Sequence, residues 1–534
     1  MLLRDGNDDL SVIGLILPLK LEFGSGLEWP SVKLFMREAQ SLVPLLQLMP
    51  ADAWRMDRIS ERPFHVFGFT RPLTPLDWEP VLKRSVLVKY LEQYSYPISI
   101  QLGEGSMEAI RLCPPPSTLL PRLRRLITIN PSRLDIFFDI PLVSSVTTLI
   151  VPGEWPSSVG FARVAAACPA LECFCCSSYD RTPSWAPELA NALAGWRALT
   201  GVSLSIGEHS LPLVLSSMAY LPMLSSLTLC RTSIDVSQGN LTLPPESFPS
   251  IQRLMLQGFK LSAASTILCS WSMRAIGMLT IEPASNGSPE DFLHTMRCIR
   301  DHCDPLELYE LTVVYKKRII GGWPLCLDYL TSLSCFANME DVKISGPAES
   351  DIDDAACAQL AKWWPNLDTL SIGSHVRHLD RRPCTLTALT SLATNCPHLS
   401  RLTLPMTAVV VPPVDITAEL VEIRHNSLAY LNVGDAPIDD PAAVALFLSA
   451  VVPNLVDVEY EGYDINDDDD DEAAEDGRAW ETKERERKWA TVSDLLPLMR
   501  KKEMQMWDLS RVYYGSLLPG FDHSLIQAEG ESAL

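Results

Sequence analysis

An apolar residue, a proline and then L-x-x-L-x-L recur along this 534-residue chain, and they recur at a nearly regular interval. Phrase and interval together predict an α/β fold, a leucine-rich-repeat solenoid. The expected shape is a curved horseshoe with a parallel sheet on its concave face, helices outside and helical caps. The fullest copy is Trp364-Pro365-Asn366-Leu367-Asp368-Thr369-Leu370-Ser371-Ile372. Others begin at Leu120-Pro121, Cys168-Pro169, Leu221-Pro222, Phe248-Pro249, Cys396-Pro397 and Val452-Pro453. Copies without the proline fill the gaps, so that first anchors fall at Leu123, Val146, Leu171, Leu199, Leu224, Ile251, Ile276, Leu308, Met339, Leu367, Leu399, Leu428 and Leu455. Their separations of roughly 23 to 32 residues lie in the period range of leucine-rich repeats.

Each unit has a physical reading. The last two apolar positions of L-x-x-L-x-L alternate with polar ones, as a half-buried strand requires, and the first apolar position anchors the approach to that strand. Inward residues are therefore Leu227, Leu229, Leu370, Ile372, Leu402 and Leu404, and the alternate positions Ser226, Thr228, Thr369, Ser371, Arg401 and Thr403 are the candidate protein-binding residues on the concave face. Ahead of the strands lie segments with helical spacing, such as Asp354 to Trp363 and Pro441 to Ala450. The proline then ends the helix, because it disfavours helical backbone at the residue before it.

In chain order, residues 1–30 are expected to be irregular, and residues 31–119 a helical cap, a connector and a degraded first repeat. Apolar residues from Val32 to Leu48 recur at helical intervals, with Pro44 and Pro50 as interruptions or ends; Val88-Lys89-Tyr90-Leu91 is the degraded repeat. The solenoid then runs over 120–460. Residues 461–478 form an acidic loop expected to be disordered: Asp457 to Asp476 holds twelve acidic residues and no basic one. A charged helix and tail follow over 479–534, with Trp480, Trp489, Val492, Leu495, Leu496, Leu498, Met499 and Met506 as the helix's apolar positions, Pro497 as a kink, and a role in capping the open end of the solenoid.

Charge and composition exclude several classes. The acidic tract carries more than half of the net charge of −22, so the remainder is moderately acidic and is not a nucleic-acid surface. No secretory signal or span of roughly 20 apolar residues is visible, so the expectation is a soluble cytoplasmic or nuclear protein with free thiols and no membrane contact. A calcium loop at Asp464, Asn466 and Asp468 is disfavoured because Asp469 stands where the turn glycine belongs. His294, Cys298 and His302 at i, i+4 and i+8, with Cys303 adjacent, have the best ligand spacing, but no C-x-x-C pair answers them and no metal is assigned. Cys168, Cys173, Cys175 and Cys176 are the densest thiols, which strand alternation splits between two faces; His375 and His378 beside Cys384 are weaker. With no phosphate loop, G-x-S-x-G turn or H-E-x-x-H helix, the reading is a non-enzymatic chain with no catalytic residue and no cofactor.

Four stretches carry a resemblance: Arg37 to Pro50, Trp363-Trp364-Pro365-Asn366-Leu367, Leu431-Asn432-Val433-Gly434-Asp435-Ala436-Pro437-Ile438, and the acidic tract leading to a charged helix. Together they resemble the F-box-type leucine-rich-repeat proteins of mushroom-forming (basidiomycete) fungi, over about residues 30 to 506. The resemblance implies a substrate-recruiting subunit of a cullin-type ubiquitin ligase, whose F-box holds a Skp-type adaptor while the repeats hold a protein target. A scaffold or receptor without ligase attachment is the alternative. In that family the F-box precedes the stretch matching Leu34 to Pro50 and has a leucine-proline opening with a cysteine and a tryptophan near its end; residues 1–30 hold no cysteine and are read as not supplying that F-box. The expectation is that the adaptor binds only if an F-box is present upstream. The repeats also lack an Asn or Cys three positions after the last strand leucine, where Tyr179, Thr232, Phe259, His375 and Thr407 stand, so a less uniform curvature is expected.

Overall fold

The structure is a computed structural model that describes residues 38–39, 41–58, 65–93, 100–128, 145–152, 155, 159–177, 185–231, 243–285, 287–315, 323–345, 350–373, 384–413, 427–434, 436–460 and 483–500. The chain divides into two compact units, Met1–Val146 and Thr147–Leu534.

The first unit holds strands β1 (Glu38–Ala39), β2 (Trp54–Arg58), β3 (His65–Phe69), β4 (Tyr90–Gln93), β5 (Ile100–Leu102) and β6 (Arg125–Thr128), with helices α1 (Val43–Leu46), α2 (Trp78–Ser85) and α3 (Glu104–Leu112). Strands β1, β4 and β6 pair in parallel in that order. The degraded repeat is thus a true strand, with Val88 and Leu91 buried as its anchors. Of the helical cap expected from Val32 to Leu48, residues 32–37 and 40 lie outside the described residues, and the remainder holds strand β1 and one helical turn, α1, rather than a continuous helix. Val43, Leu45 and Leu46 bury its apolar face, while Pro44 fits the first turn, where no amide hydrogen is needed. The aromatic connector contains a second sheet: β2 and β3 are antiparallel, β5 joins β3 in parallel, and buried Phe67 stacks on Trp54. Arg71 clamps this region, with Nη1 and Nη2 donating to both oxygens of Asp77 at 2.9 Å and Nε donating to Asp52 at 2.7 Å. The Arg71 guanidinium, with help from Thr74, holds the Asp77 carboxyl well below the usual carboxylate range.

In the second unit one parallel sheet runs in strict chain order: β7 (Thr148–Val151), β8 (Cys173–Ser177), β9 (Gly201–Ile206), β10 (Ser226–Arg231), β11 (Arg253–Phe259), β12 (Met278–Pro283), β13 (Glu310–Val313), β14 (Asp341–Ile344), β15 (Thr369–Ile372), β16 (Arg401–Thr403), β17 (Tyr430–Asn432) and β18 (Asp457–Glu459). Helices lie between most of them: α4 (Phe161–Ala167), α5 (Ala186–Gly195), α6 (Leu211–Met218), α7 (Leu261–Cys269), α8 (Pro289–His302), α9 (Leu327–Leu330), α10 (Asp354–Trp363), α11 (Thr387–Asn395) and α12 (Pro441–Val451). Successive strands joined through a helix and paired in parallel in sequence order are a leucine-rich-repeat solenoid. Every first anchor from Leu171 to Leu455 is buried, as are the two inward residues of each complete strand repeat. Each such Leu, Val or Ile contributes about 1.5–3 kcal/mol.

The proline acts as the sequence implies. Cys168, Trp364, Cys396 and Val452 each precede a proline, end a helix, and adopt φ near −125° with ψ of 64 to 77°. At Phe248, before which no helix is described, the equivalent residue has φ 56° and packs edge-on against Trp271.

Successive repeats are tied by the main chain. Glu172, Thr200, Ser225, Gln252, Gly277, Tyr309, Glu340, Asp368, Ser400, Ala429 and Val456 each donate their N–H to the carbonyl of the equivalent residue one repeat earlier, starting from Thr147, at 2.7 to 3.0 Å. Polar residues beside the anchor add side-chain links: Ser250 Oγ donates to Pro222 O at 2.6 Å, Asn338 Nδ2 to Leu306 O at 2.9 Å and Asn366 Nδ2 to Ala337 O at 3.3 Å. Of the positions that lack an Asn or Cys, Phe259 is buried and Thr407 N donates to Cys384 O; Tyr179, Thr232 and His375 lie outside the described residues.

A helix over residues 483–500 buries Trp489, Val492 and Leu496 and continues through Pro497. Trp489 Nε1 donates to Ala436 O and Lys488 Nζ to Ile438 O, both at 2.9 Å, so this helix docks on the segment that follows β17. The acidic tract after Tyr460, with the calcium loop weighed there, lies outside the described residues, as do Trp480 and Met506.

Candidate functional site

Pleating sorts every strand residue to one of two faces. Register then lines the faces up: the buried row runs Leu227, Leu254, Leu279, Leu311, Val342, Leu370, Leu402, Leu431 across successive strands. The other face stays open to solvent. Ser226, Thr228, Thr369, Ser371 and Thr403 are half-buried there and Arg401 is exposed, each followed by a buried residue of the inward row. Thr369 and Arg401 pair directly in register, as do Ser371 and Thr403, whereas Ser226 and Thr228 sit five strands away on β10.

The chemistry of this open face changes along the sheet. From β8 to β10 it is small and uncharged, with Cys173, Cys175, Ser203, Ser226, Thr228 and Cys230. Cys230 Sγ lies 2.9 Å from Gln257 Oε1. The split expected of the dense thiols is observed: Cys173 and Cys175 are half-buried on the open face, and Cys168 and Cys176 are buried. From β13 onward the face is charged and aromatic. Glu310 stands beside Asp341, Lys343 Nζ contacts Asp341 Oδ2 at 3.0 Å, the Arg401 guanidinium lies 5.0 Å over the Tyr430 ring, and Asn432 Nδ2 donates to Glu459 Oε2 at 2.7 Å. Burial first, and then the Asp341 charge, pushes the Glu310 carboxyl up. Sequence reasoning selected Arg401 but missed Glu310, Asp341, Lys343 and Tyr430. The same alternation could have found them, since each stands one residue before an inward position of its strand.

No known protein family matches the sequence, and no curated protein matches it. Solved structures similar to this chain include the complex of Rad7 and Elc1 in yeast, at 14% identity over 55% of this chain and 76% of that one, with a TM-score of 0.30. The mouse RP105/MD-1 complex is similar at 14% identity over 73% of this chain and 68% of that one, with a TM-score of 0.31. The leucine-rich-repeat-containing protein LegL7 from Legionella pneumophila is similar at 13% identity over 57% and 88%, with a TM-score of 0.28. The likeness is one of fold alone.

On the helix side, the three potential ligands read at i, i+4 and i+8 do not converge. His302 Nδ1 lies 2.7 Å from Trp271 O, and Cys303 is sealed in the core, where burial pushes its thiol up to about 12. His294 and Cys298 do meet, with Nε2 and Sγ 3.6 Å apart, and they meet Cys269 at the end of α7, all three ligand atoms lying within 4.8 Å of one another. Cys269 escaped the sequence reading because it comes from the preceding repeat. His375 and His378 lie outside the described residues, and Cys384 is buried with its Sγ 3.8 Å from Cys357 Sγ. None of the fourteen cysteines is in a disulfide. Among the described residues no helix is long and apolar enough to cross a membrane.

Proposed function

We propose that this chain is a non-enzymatic protein-interaction module whose partner binds the open face of the sheet in the second unit. The observation that carries the reading is the continuous register from β13 to β18, which displays Glu310, Asp341, Lys343, Arg401 and Tyr430 on a hydrogen-bonded frame. A frame of this kind holds its side chains in place before a partner arrives and so lowers the ordering cost of association. Arginine and tyrosine are also the residue types that dominate binding energy at interfaces. The test is charge reversal of Lys343→Glu together with Arg401→Glu, read by affinity capture of proteins and by thermal unfolding. The module reading expects an unchanged unfolding midpoint and at least a tenfold loss of the captured partner; capture equal to wild type by a folded double variant rejects it.

The finer role is recruitment of a target to a cullin-type ubiquitin ligase, inside the cell. It rests on the resemblance of the Arg37 to Pro50, Trp363 to Leu367 and Leu431 to Ile438 stretches to fungal F-box-type repeat proteins. A Skp-type adaptor needs an apolar helical surface of its own, since a standard interface buries on the order of 1,600 Å² in total. Adaptor capture is therefore expected to require an F-box, which is tested by comparing this chain with a version extended by one. Comparable capture by both places adaptor binding in the residues present here; capture by neither favours a scaffold without ligase attachment.

A further inference from the structure

Helices α7 and α8 belong to neighbouring repeats and pack side by side, joined by the buried hydroxyl pair Ser265 Oγ and Thr295 Oγ1 at 2.8 Å. One turn further along α7, Cys269 closes the helix at an exposed position. On α8, His294 and Cys298 are four residues apart and so lie on one face of the helix, His294 exposed and Cys298 buried. Neither Cys269 nor His294 is placed there by core packing, because both reach solvent. We propose that Cys269 Sγ, His294 Nε2 and Cys298 Sγ form a binding site for one soft divalent cation of the zinc class, clipping one repeat to the next.

The distances fit the metal. Zinc takes sulfur at about 2.3 Å and imidazole nitrogen at about 2.0–2.1 Å in tetrahedral geometry, which sets ligand atoms about 3.6 Å apart for an S–N pair and about 3.8 Å for an S–S pair. The Cys298 to His294 separation is 3.6 Å, and the full set lies within 4.8 Å, so closure on an ion needs shifts of the order of a side-chain torsion rather than of the helices. Two thiols and one imidazole also match the donor preference of zinc over calcium or magnesium, which take oxygen. Binding replaces the two thiol protons, which leave to solvent, so the ion and the two thiolates form a neutral group against the buried Cys298. Three protein donors at an exposed rim leave the fourth tetrahedral position for water. The buried pair Cys357 and Cys384, at 3.8 Å, has no such third donor among the described residues.

Cobalt(II) titration of the fully reduced whole chain, followed by displacement with zinc, tests the site. The expected result is uptake of one equivalent, with sulfur-to-cobalt charge-transfer absorption and the strong visible bands of tetrahedral cobalt, both abolished by zinc. Cys269→Ser and His294→Gln are exposed changes that should leave the metal-free unfolding midpoint unchanged. Each should weaken cobalt binding at least tenfold and reduce the charge-transfer or tetrahedral bands, whereas Cys335→Ser should change neither. Wild-type affinity and spectrum in both site variants overturn the assignment. So does a reduced chain that takes up no cobalt, and recovery of Cys269 and Cys298 as a disulfide alongside that result would assign the pair to thiol oxidation instead.

Discussion

The strand side and the helix side of the second unit are built from the same repeats but under different rules. On the strand side, parallel pairing runs in chain order from β7 to β18, and apart from one shift between β11 and β12 at Gln257/Phe259 each paired residue has a fixed counterpart in the next repeat. On the helix side the elements range from the four residues of α9 to the fourteen of α8, and each junction has its own chemistry. Asp354 of α10 accepts from Thr385 N at 2.7 Å and from its Oγ1 at 2.6 Å; Ser265 meets Thr295; Trp364 Nε1 donates to Leu333 O at 3.2 Å. A repeat array can therefore be uniform where main chain meets main chain and individual where side chain meets side chain.

The sharpest way to break that contrast is to put the same charge on both faces of one strand. Leu370→Asp buries an unpaired carboxylate in the fully enclosed row and should cost at least about 3–5 kcal/mol. Thr369→Asp, one residue away on the open face between Asp341 and Arg401, should stay within about 0.5 kcal/mol, because its two neighbours act in opposite directions. Urea unfolding of the two variants decides the point, and equal midpoints would refute the facing of β15. Next in size is Asp354→Ala, which removes a charged acceptor from two donors of the following repeat and should cost about 1.5–3 kcal/mol in the same measurement. Ser265→Ala should cost about 1 kcal/mol, since Thr295 keeps its 2.8 Å bond to Asp291 O.

The smallest effect belongs to Glu310→Gln, and its sign is opposite. Burial and Asp341 raise the folded carboxyl above its unfolded value, so Glu310 contributes its full stability only below the unfolded value of about 4.3, and that contribution is lost as pH rises through the raised one. The glutamine variant should match wild type in acid and be slightly more stable at neutral pH. Denaturation midpoints compared at about pH 4 and pH 7 check this, and a variant less stable at neutral pH would show that the carboxylate is favourably held.

What was legible in the sequence follows the same division. Alternation and the pre-proline backbone preference act within a few residues, so the strands, their facing and the ends of α10 and α12 could be read directly. The meeting of Cys269 with His294 and Cys298 depends on how far one helix is shifted along its neighbour, and the spacing between repeats varies too much for that shift to be read from the chain. In the first unit, helical spacing from Val32 to Leu48 suggested a long helix, but Glu38 and Ala39 were taken by pairing with Tyr90 and Leu91. The antiparallel pair β2 and β3 was hidden in the same way, because the phenylalanines of the connector pack within a sheet that lacks the repeat phrase.

The ladder of N–H to carbonyl bonds from Thr147 to Val456 uses only atoms that almost every residue type possesses. Glutamate, threonine, serine, glutamine, glycine, tyrosine, aspartate, alanine and valine all occupy its rungs. Joining one unit to the next is thus independent of side-chain identity at that point. A whole unit could be duplicated or deleted in a gene and the remaining units would still find their partners, while the neighbouring open-face positions drift freely toward new binding chemistry.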